Sequence, residues 1–444
     1  MKRTLIHNAI IVNDGTKKQG SVLIEDGAIA QVLTDGKPLT LPYTEFIDAT
    51  GCYLLPGVID EHVHFRDPGL THKADIRTES MAAAAGGVTS IMDMPNTLPQ
   101  TTTLEALEQK MELLGQKSVV NYSCYFGATN DNYTELPKID RHRTCGVKLF
   151  MGSSTGNMLV DRQKSLKRIF EGTDQVIVAH CEDQNIIRQN LAKYKKETDV
   201  PVWKHRLIRS SEACYQSTKL AVKLATEAGA RLHVAHVSTA RELALFSQEP
   251  LFMKSITAEA CIAHLMFSDE DYKTLGALIK CNPSVKRRAD RDALRAALTN
   301  NLIDTIATDH APHTLEEKQG GALKATSGMP MIQFSLLCML ELVDAGVLTI
   351  EKLVEKMCHA PAELFGVEQR GFIEEGAWAD LVLVRPGGAW EVTPERILSK
   401  CGWSPLMGHC FRWRVEKTFC NGHLVYDGKT VDESKKGQAL WFNF

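Results

Sequence analysis

The sequence predicts an α/β fold, a (β/α)8 TIM-type barrel joined to a small composite β-sandwich domain built from the N- and C-terminal segments. Three observations predict it. From Leu54 to about residue 360, short apolar runs alternate with helical stretches, the texture of βα units around a parallel sheet. Both ends of the chain instead read as strands and turns. At 444 residues the chain exceeds one ordinary core but matches a barrel of roughly 250–300 residues plus a smaller unit. The expected divisions are 1–54 and 366–444 for the two parts of the small β domain, and 55–365 for the barrel.

Taken in order, Leu5-Ile6, Ile10-Ile11-Val12 and Val22-Leu23-Ile24 are short strands, separated by the turn sequences Asn13-Asp14-Gly15 and Glu25-Asp26-Gly27. In the central stretch, apolar runs at 88–92, 119–125, 147–150, 176–179, 232–235 and 305–307 read as buried parallel strands. Apolar residues recur at three- and four-residue spacing over 76–85, 104–114, 207–228, 293–298 and 332–343, which predicts helices there. About eight βα units fit before residue 360. Beyond Gly366 the strand texture returns at Leu381-Val382-Leu383-Val384 and from Val415 to Val425, so the two ends are expected to pair.

Composition excludes several functions. Fifty-one Lys and Arg against 54 Asp and Glu leave a net charge of -3, with no basic excess to neutralise a row of phosphates. Small molecules, not nucleic acid, are the expected partners. The twelve cysteines are scattered singly, as at Cys52, Cys124, Cys145, Cys181, Cys214 and Cys261, without a C-x-x-C pair, which fits reduced, buried thiols. Lys2 and Arg3 resemble the start of an export signal, but His7 and Asn8 break the apolar run behind them. A cytoplasmic enzyme without a membrane segment is expected, and a homo-oligomer is compatible with the sequence.

The chemistry begins at Asp60-Glu61-His62-Val63-His64-Phe65-Arg66, which closes the apolar run Leu54 to Ile59. Side chains two apart on a strand share a face, so His62 and His64 can converge on one metal ion. A lone H-x-H is weak, because most such pairs are surface or core histidines. This one sits where the first barrel strand would end, and barrel enzymes carry their catalytic groups at strand C-termini. The same arrangement recurs: His180, His236 and Asp309 each end an apolar run. Any of these alone could be a satisfied core polar residue; together they form a ligand set. Four imidazoles and one carboxylate are too many for one tetrahedral ion and too few for two. Lys148, inside the strand Gly146 to Phe150, could be a lysine reaching water by its stem. Buried beside cations, its neutral amine could instead take up carbon dioxide as a carbamate whose two oxygens bridge two ions.

The runs His62-Val63-His64-Phe65-Arg66-Asp67-Pro68-Gly69, Gly86-Gly87-Val88-Thr89, Met94-Pro95-Asn96-Thr97, Cys281-Asn282-Pro283 and Ala307-Thr308-Asp309-His310-Ala311-Pro312-His313 resemble the dihydroorotase family of the amidohydrolase superfamily, in order and over nearly the whole chain. The resemblance implies two divalent ions, most simply zinc, with His62, His64 and Asp309 on the more buried one, His180 and His236 on the other, and N6-carboxylated Lys148 bridging. It implies that Arg66, Asn96, Asn282 and His313 bind substrate. The polar, Gly-rich stretch from His313 to Gly328 reads as a mobile lid over the site, which adds Gly328 to the substrate-binding residues. Some bacterial members replace the bridging lysine by an aspartate a few residues on. Here Gly152-Ser153-Ser154 offers none. Members often carry Pro-His-His-Leu after a T-x-E element, whereas this chain has Ile262-Ala263-His264-Leu265 after Thr257-Ala258-Glu259.

The implied reaction is the reversible cyclisation of N-carbamoyl-L-aspartate to L-dihydroorotate. Hydroxide generated by the metal pair attacks the cyclic amide, and Asp309 carries the proton to the leaving nitrogen. The nearest alternatives are hydantoinase, dihydropyrimidinase and allantoinase, whose substrates lack a carboxylate at the place Arg66 would serve; a non-catalytic scaffold would have lost ligands. His7, His72, His142, His205, His233, His310, His359, His409 and His423 read as structural or surface residues. His233, three residues from His236 on one strand, should face away from the site.

Overall fold

The computed structural model describes residues 2–152, 158–197 and 199–443. The N-terminal segment forms β1 (Arg3–Asn13), β2 (Thr16–Glu25), β3 (Ala28–Thr34), β4 (Glu45–Asp48) and β5 (Tyr53–Pro56). Leu5-Ile6 and Ile10 to Val12 are not two strands but one. A bulge between Ile6 and Ala9, where Asn8 takes φ +61°, lets β1 bend and continue. Asp14 and Gly15 adopt positive φ of 46° and 66° at the β1–β2 turn, the mirror-image geometry that suits tight hairpins.

The central region contributes β6 (Val58–Val63), β7 (Val88–Asp93), β8 (Asn121–Cys124), β9 (Phe126–Gly127), β10 (Val147–Phe150), β11 (Ile177–His180), β12 (Leu232–Val234), β13 (Ile256–Cys261) and β14 (Thr305–Ala307). All pair in parallel, β6-β7-β8 in one group and β9 through β14 in another. Only Tyr125 separates β8 from β9, and Val63 bridges His310 in parallel across the remaining gap. β6 and β7 are buried at every position, as strands covered on both faces must be. β13 escapes the apolar-run criterion because Thr257 and Glu259 interrupt it; both side chains are buried polar groups.

Helices lie between these strands. Ile76–Ala85 starts at Asp75, whose carboxylate accepts from Thr78 N, and Leu104–Lys117 starts at Thr103, whose hydroxyl accepts from Ala106 N; both satisfy backbone donors that a helix start leaves unpaired. The long helix expected over 207–228 is two, His205–Ile208 and Ser211–Ala228. Ser210 stands between them with extended backbone and caps the second through Ala213 N. Helices Gln163–Glu171 and Gln184–Ala192 were not expected from the spacing.

The C-terminal segment adds β15 (Leu381–Glu391), β16 (Cys410–Cys420) and β17 (His423–Tyr426). β15 pairs antiparallel with β5, from Leu381 opposite Pro56 to Val384 opposite Tyr53, so both ends of the chain join one mixed sheet in the order β17-β16-β15-β5-β1-β2-β3, with β4 on β1. That sheet encloses its own apolar core, including Ile6, Val22, Ile29, Leu54, Leu381 and Phe419. Buried Arg370 ties it to the parallel strands. Its guanidinium donates to Asp380, to Asn421 Oδ1 at 2.8 Å and to Gln438 Oε1 at 3.0 Å, while Asp380 accepts from Asn121 Nδ2 at 2.9 Å. No helix among the described residues is long and apolar enough to cross a membrane. All twelve cysteines are free.

Candidate metal centre

His62 lies in β6 and His64 just after it, His180 ends β11, and His236 and Asp309 follow β12 and β14 by two residues. The parallel pairing gathers these strand ends. Nε2 of His62 and Nε2 of His64 lie 3.3 and 3.0 Å from Asp309 Oδ1. His180 Nδ1 is 2.9 Å from His236 Nε2, and the His62 and His236 rings are 5.3 Å apart between centroids. Lys148 reaches into the same interior from β10. Its Nζ is fully buried, has no hydrogen-bond partner among the described residues and lies 5.2 Å from the centre of the Phe150 ring.

The donor set suits a divalent cation. His62 Nδ1 is 2.9 Å from Glu259 Oε1, and His64 Nδ1 is 2.7 Å from Asn96 Oδ1. Both partners accept, so each ring carries its proton on Nδ1 and turns a bare Nε2 toward Asp309. Two lone pairs facing a carboxylate repel one another unless a cation lies among them, and imidazole nitrogen with carboxylate oxygen is a set that divalent metals take. His180 is oriented in the same way, its Nε2 donating to Glu182 Oε2 at 3.0 Å, and Arg209 donates to that same oxygen.

Electrostatics agree with neutral imidazoles. Burial pushes His180 and His236 down, and lowers His64 to about 4. Burial would raise Asp309, but His62, His64 and Lys148 beside it hold it well below the usual carboxylate range. Burial also lowers Lys148, which favours a neutral amine. Of the buried carboxylates Glu61 and Glu259, burial and then the neighbouring charge raise Glu61 well above its ordinary value, while His62 and His233 bring Glu259 down.

A cavity of about 60 Å³ opens at this point. Arg66, Asn96, Asn282 and Gly328 line it together with the four histidines and Asp309. Arg66 is 3 % exposed, and its Nε donates to Pro312 O at 3.1 Å. His313 does not line the cavity. It stands behind Arg66, with Nε2 3.1 Å from Arg66 Nη2, and Trp403 Nε1 donates to its carbonyl at 2.7 Å. Asn282 is held by His205, whose Nε2 lies 2.9 Å from its Oδ1.

Other side chains around the centre carry roles that the sequence left open. Glu259 accepts from His62 and also from the backbone N of His236 at 2.7 Å, so the T-x-E element supports both halves of the cluster. Glu182, two residues past His180, was findable by the period-2 rule; His205 carried no such signal. His233 does not turn away as expected. Its Nε2 is 3.9 Å from Glu259 Oε2, because β12 ends at Val234 and His236 takes φ +40°, which breaks strand alternation. Ser153 and Ser154 lie outside the described residues.

Residues 53–425 match the amidohydrolase family. The chain is 34% identical over 417 residues to a dihydroorotase of Halobacterium salinarum, covering 92% of this chain and 96% of that protein. It is 32% identical over 445 residues to an allantoinase of Bacillus velezensis, covering 98% and 97%. Among solved structures, the L-hydantoinase (dihydropyrimidinase) of Arthrobacter aurescens superposes with a TM-score of 0.93 at 29% identity, covering 99% of this chain and all of that one.

Proposed function

The chain belongs to the amidohydrolase family, a metal-dependent hydrolase of cyclic amides, and from that premise we propose that it interconverts N-carbamoyl-L-aspartate and L-dihydroorotate. The carrying observation is Arg66. Its guanidinium is buried in the cavity wall beside the histidines and has no carboxylate within 4 Å among the described residues, so a free carboxylate on the substrate completes it. Allantoinase and hydantoinase chemistry needs no such anchor.

His62, His64 and Asp309 would hold one divalent ion and His180 and His236 a second, most simply zinc. Lys148 would serve both as N6-carboxylysine, formed when its neutral amine bonds to carbon dioxide and loses a proton. The unpartnered, buried Nζ supports this assignment. When bound, the two ions would supply Lewis acidity, lowering the pKa of a water to about 7 and polarising the amide carbonyl. Asp309, ionised at neutral pH, accepts the water's proton and returns it to the leaving nitrogen. Arg66 and Asn96 hold the substrate carboxylate, Asn282 and the Gly328 backbone form the opposite wall, and His313 sets the guanidinium from behind. In the same reading, the eight parallel strand positions close into a (β/α)8 barrel spanning 55–365, with 1–54 and 366–444 as the small domain. Free cysteines fit a reducing cytoplasm, and the protein acts alone on small molecules or as a homo-oligomer.

The test is turnover by the purified protein of L-dihydroorotate, allantoin and dihydrouracil side by side, with elemental analysis. Two divalent ions per chain and the highest specificity constant for dihydroorotate are expected. Preference for an uncharged ring would transfer the assignment to the hydantoinase or allantoinase type, and active enzyme with one ion or none would sink the bridged arrangement.

A further inference from the structure

The polar stretch from His313 to Gly328 reads from sequence as a mobile lid, yet two buried lysines fasten it. Lys318 is 2 % exposed, and its Nζ donates to three carbonyls: Lys280 O at 3.0 Å, Thr326 O at 3.0 Å and Gly328 O at 2.6 Å. Lys280 Nζ in turn donates to Ala325 O, and Gly328 N donates to Lys280 O at 2.8 Å. The segments around 280–282 and 325–328 are thus bound to each other from both sides. Each carries residues that line the cavity, Asn282 on one and Ser327 and Gly328 on the other.

Among the described residues no carboxylate lies within 4 Å of Lys318, Lys280 or Arg66. Burial pushes Lys318 down to about 7 and Lys280 to about 8. Three carbonyl acceptors nevertheless call for three N–H donors, and only the ammonium form has them. A neutral side chain could tie two loops together without burying a charge, and buried ammonium groups lacking a counter-ion are costly. The Trp403 ring, its centre 5.8 Å from Lys318 Nζ, compensates in part, and an anion in the cavity that Gly328 lines would add to it.

Resting on the dihydroorotase reading, we propose that Lys318, assisted by Lys280, is a positioning and specificity-determining residue: a cationic latch that sets the Asn282–Gly328 wall and favours an anionic ring over an uncharged one. It touches no reacting atom.

The test compares wild type with Lys318→Met, Lys318→Arg and Lys280→Met, after circular dichroism and elemental analysis of each. For Lys318→Met the latch predicts a KM for dihydroorotate raised at least tenfold with kcat changed less than threefold, and a KM for dihydrouracil raised by a clearly smaller factor. Lys318→Arg recovers part of the loss, and Lys280→Met moves KM in the same direction by a smaller factor. Calorimetric titration with orotate, a planar anionic analogue, should show at least tenfold weaker binding to Lys318→Met. Equal losses on charged and uncharged rings, or a lower kcat at unchanged KM, would overturn the proposal by reducing the lysines to scaffolding. If Lys318→Met fails to fold, the same split is read from Lys280→Met. Failure of the functional reading shows separately, as absence of dihydroorotate turnover by wild type. In that case unchanged orotate affinity between wild type and variant, or no orotate binding at all, overturns the latch on its own.

Discussion

Arg66, His236 and Asp309 all hold left-handed backbone, with φ of 67°, 40° and 47°, at a cost of about 1–3 kcal/mol each. The site keeps these conformations because its surroundings overdetermine them: Pro312 O and His313 hold Arg66, and Glu259 holds the His236 amide. Lys148 is the residue on which the two-ion assignment turns. Lys148→Ala should fold, lose nearly all activity and regain part of it with short carboxylic acids that take the place of the carbamate; wild-type turnover in that variant would rule the carbamate out. Arg66→Met should keep the metals and the fold, yet lose a charge-assisted contact of about 1.5–3 kcal/mol. The specificity constant for dihydroorotate should then drop at least tenfold while that for dihydrouracil hardly changes, and the ratio of the two constants is the measurement. A parallel fall on both rings would mean that Arg66 anchors no carboxylate.

At the scale of the element, function sits on the short segments that follow strands, where the chain is free to leave β geometry. The loop closing the site shows how little freedom is left. Gly328 has φ +137°, and a Cβ there would come within 2.6 Å of Ala311 O and 3.0 Å of His313 Cδ2. Gly328→Ala should therefore destabilise the protein by about 1–3 kcal/mol and cut dihydroorotate turnover at low substrate at least tenfold, read by thermal melting alongside steady-state kinetics. An unchanged melt and unchanged kinetics would show that the loop yields easily. The strands flanking these loops were legible where apolar residues run on, as in Ile177-Val178-Ala179 of β11. β13 was hidden because its inward positions are Thr257 and Glu259, chosen to face the interior of the polar site and not an apolar core.

For the whole molecule, the decisive connection is between the parallel strands and the composite sheet. Arg370 and Asp380 are buried at 4 % and 2 % side-chain exposure, and Asn121, Asn421 and Gln438 join them from separate parts of the chain. Arg370→Ala leaves Asp380 as an uncompensated buried charge, which costs about 3–5 kcal/mol. The first thermal transition should move down by several degrees, with kcat of the surviving folded protein close to wild type, since none of these residues approaches the cavity. A melt indistinguishable from wild type would mean that the two units hold together without this network.

By itself, the sequence determined the class of fold, the pairing of its two ends and a set of metal-binding side chains, because each of these is written locally. Hydrophobic runs mark strands, turn sequences mark hairpins, and histidines and an aspartate at run ends mark a ligand set. What only the tertiary structure decided depends on residues far apart along the chain. Glu259 reaches His62, His205 holds Asn282 and Lys318 clasps the carbonyls around the cavity. Local pattern says nothing of these contacts, since a buried polar side chain takes its role from whichever partner the fold brings within hydrogen-bond distance.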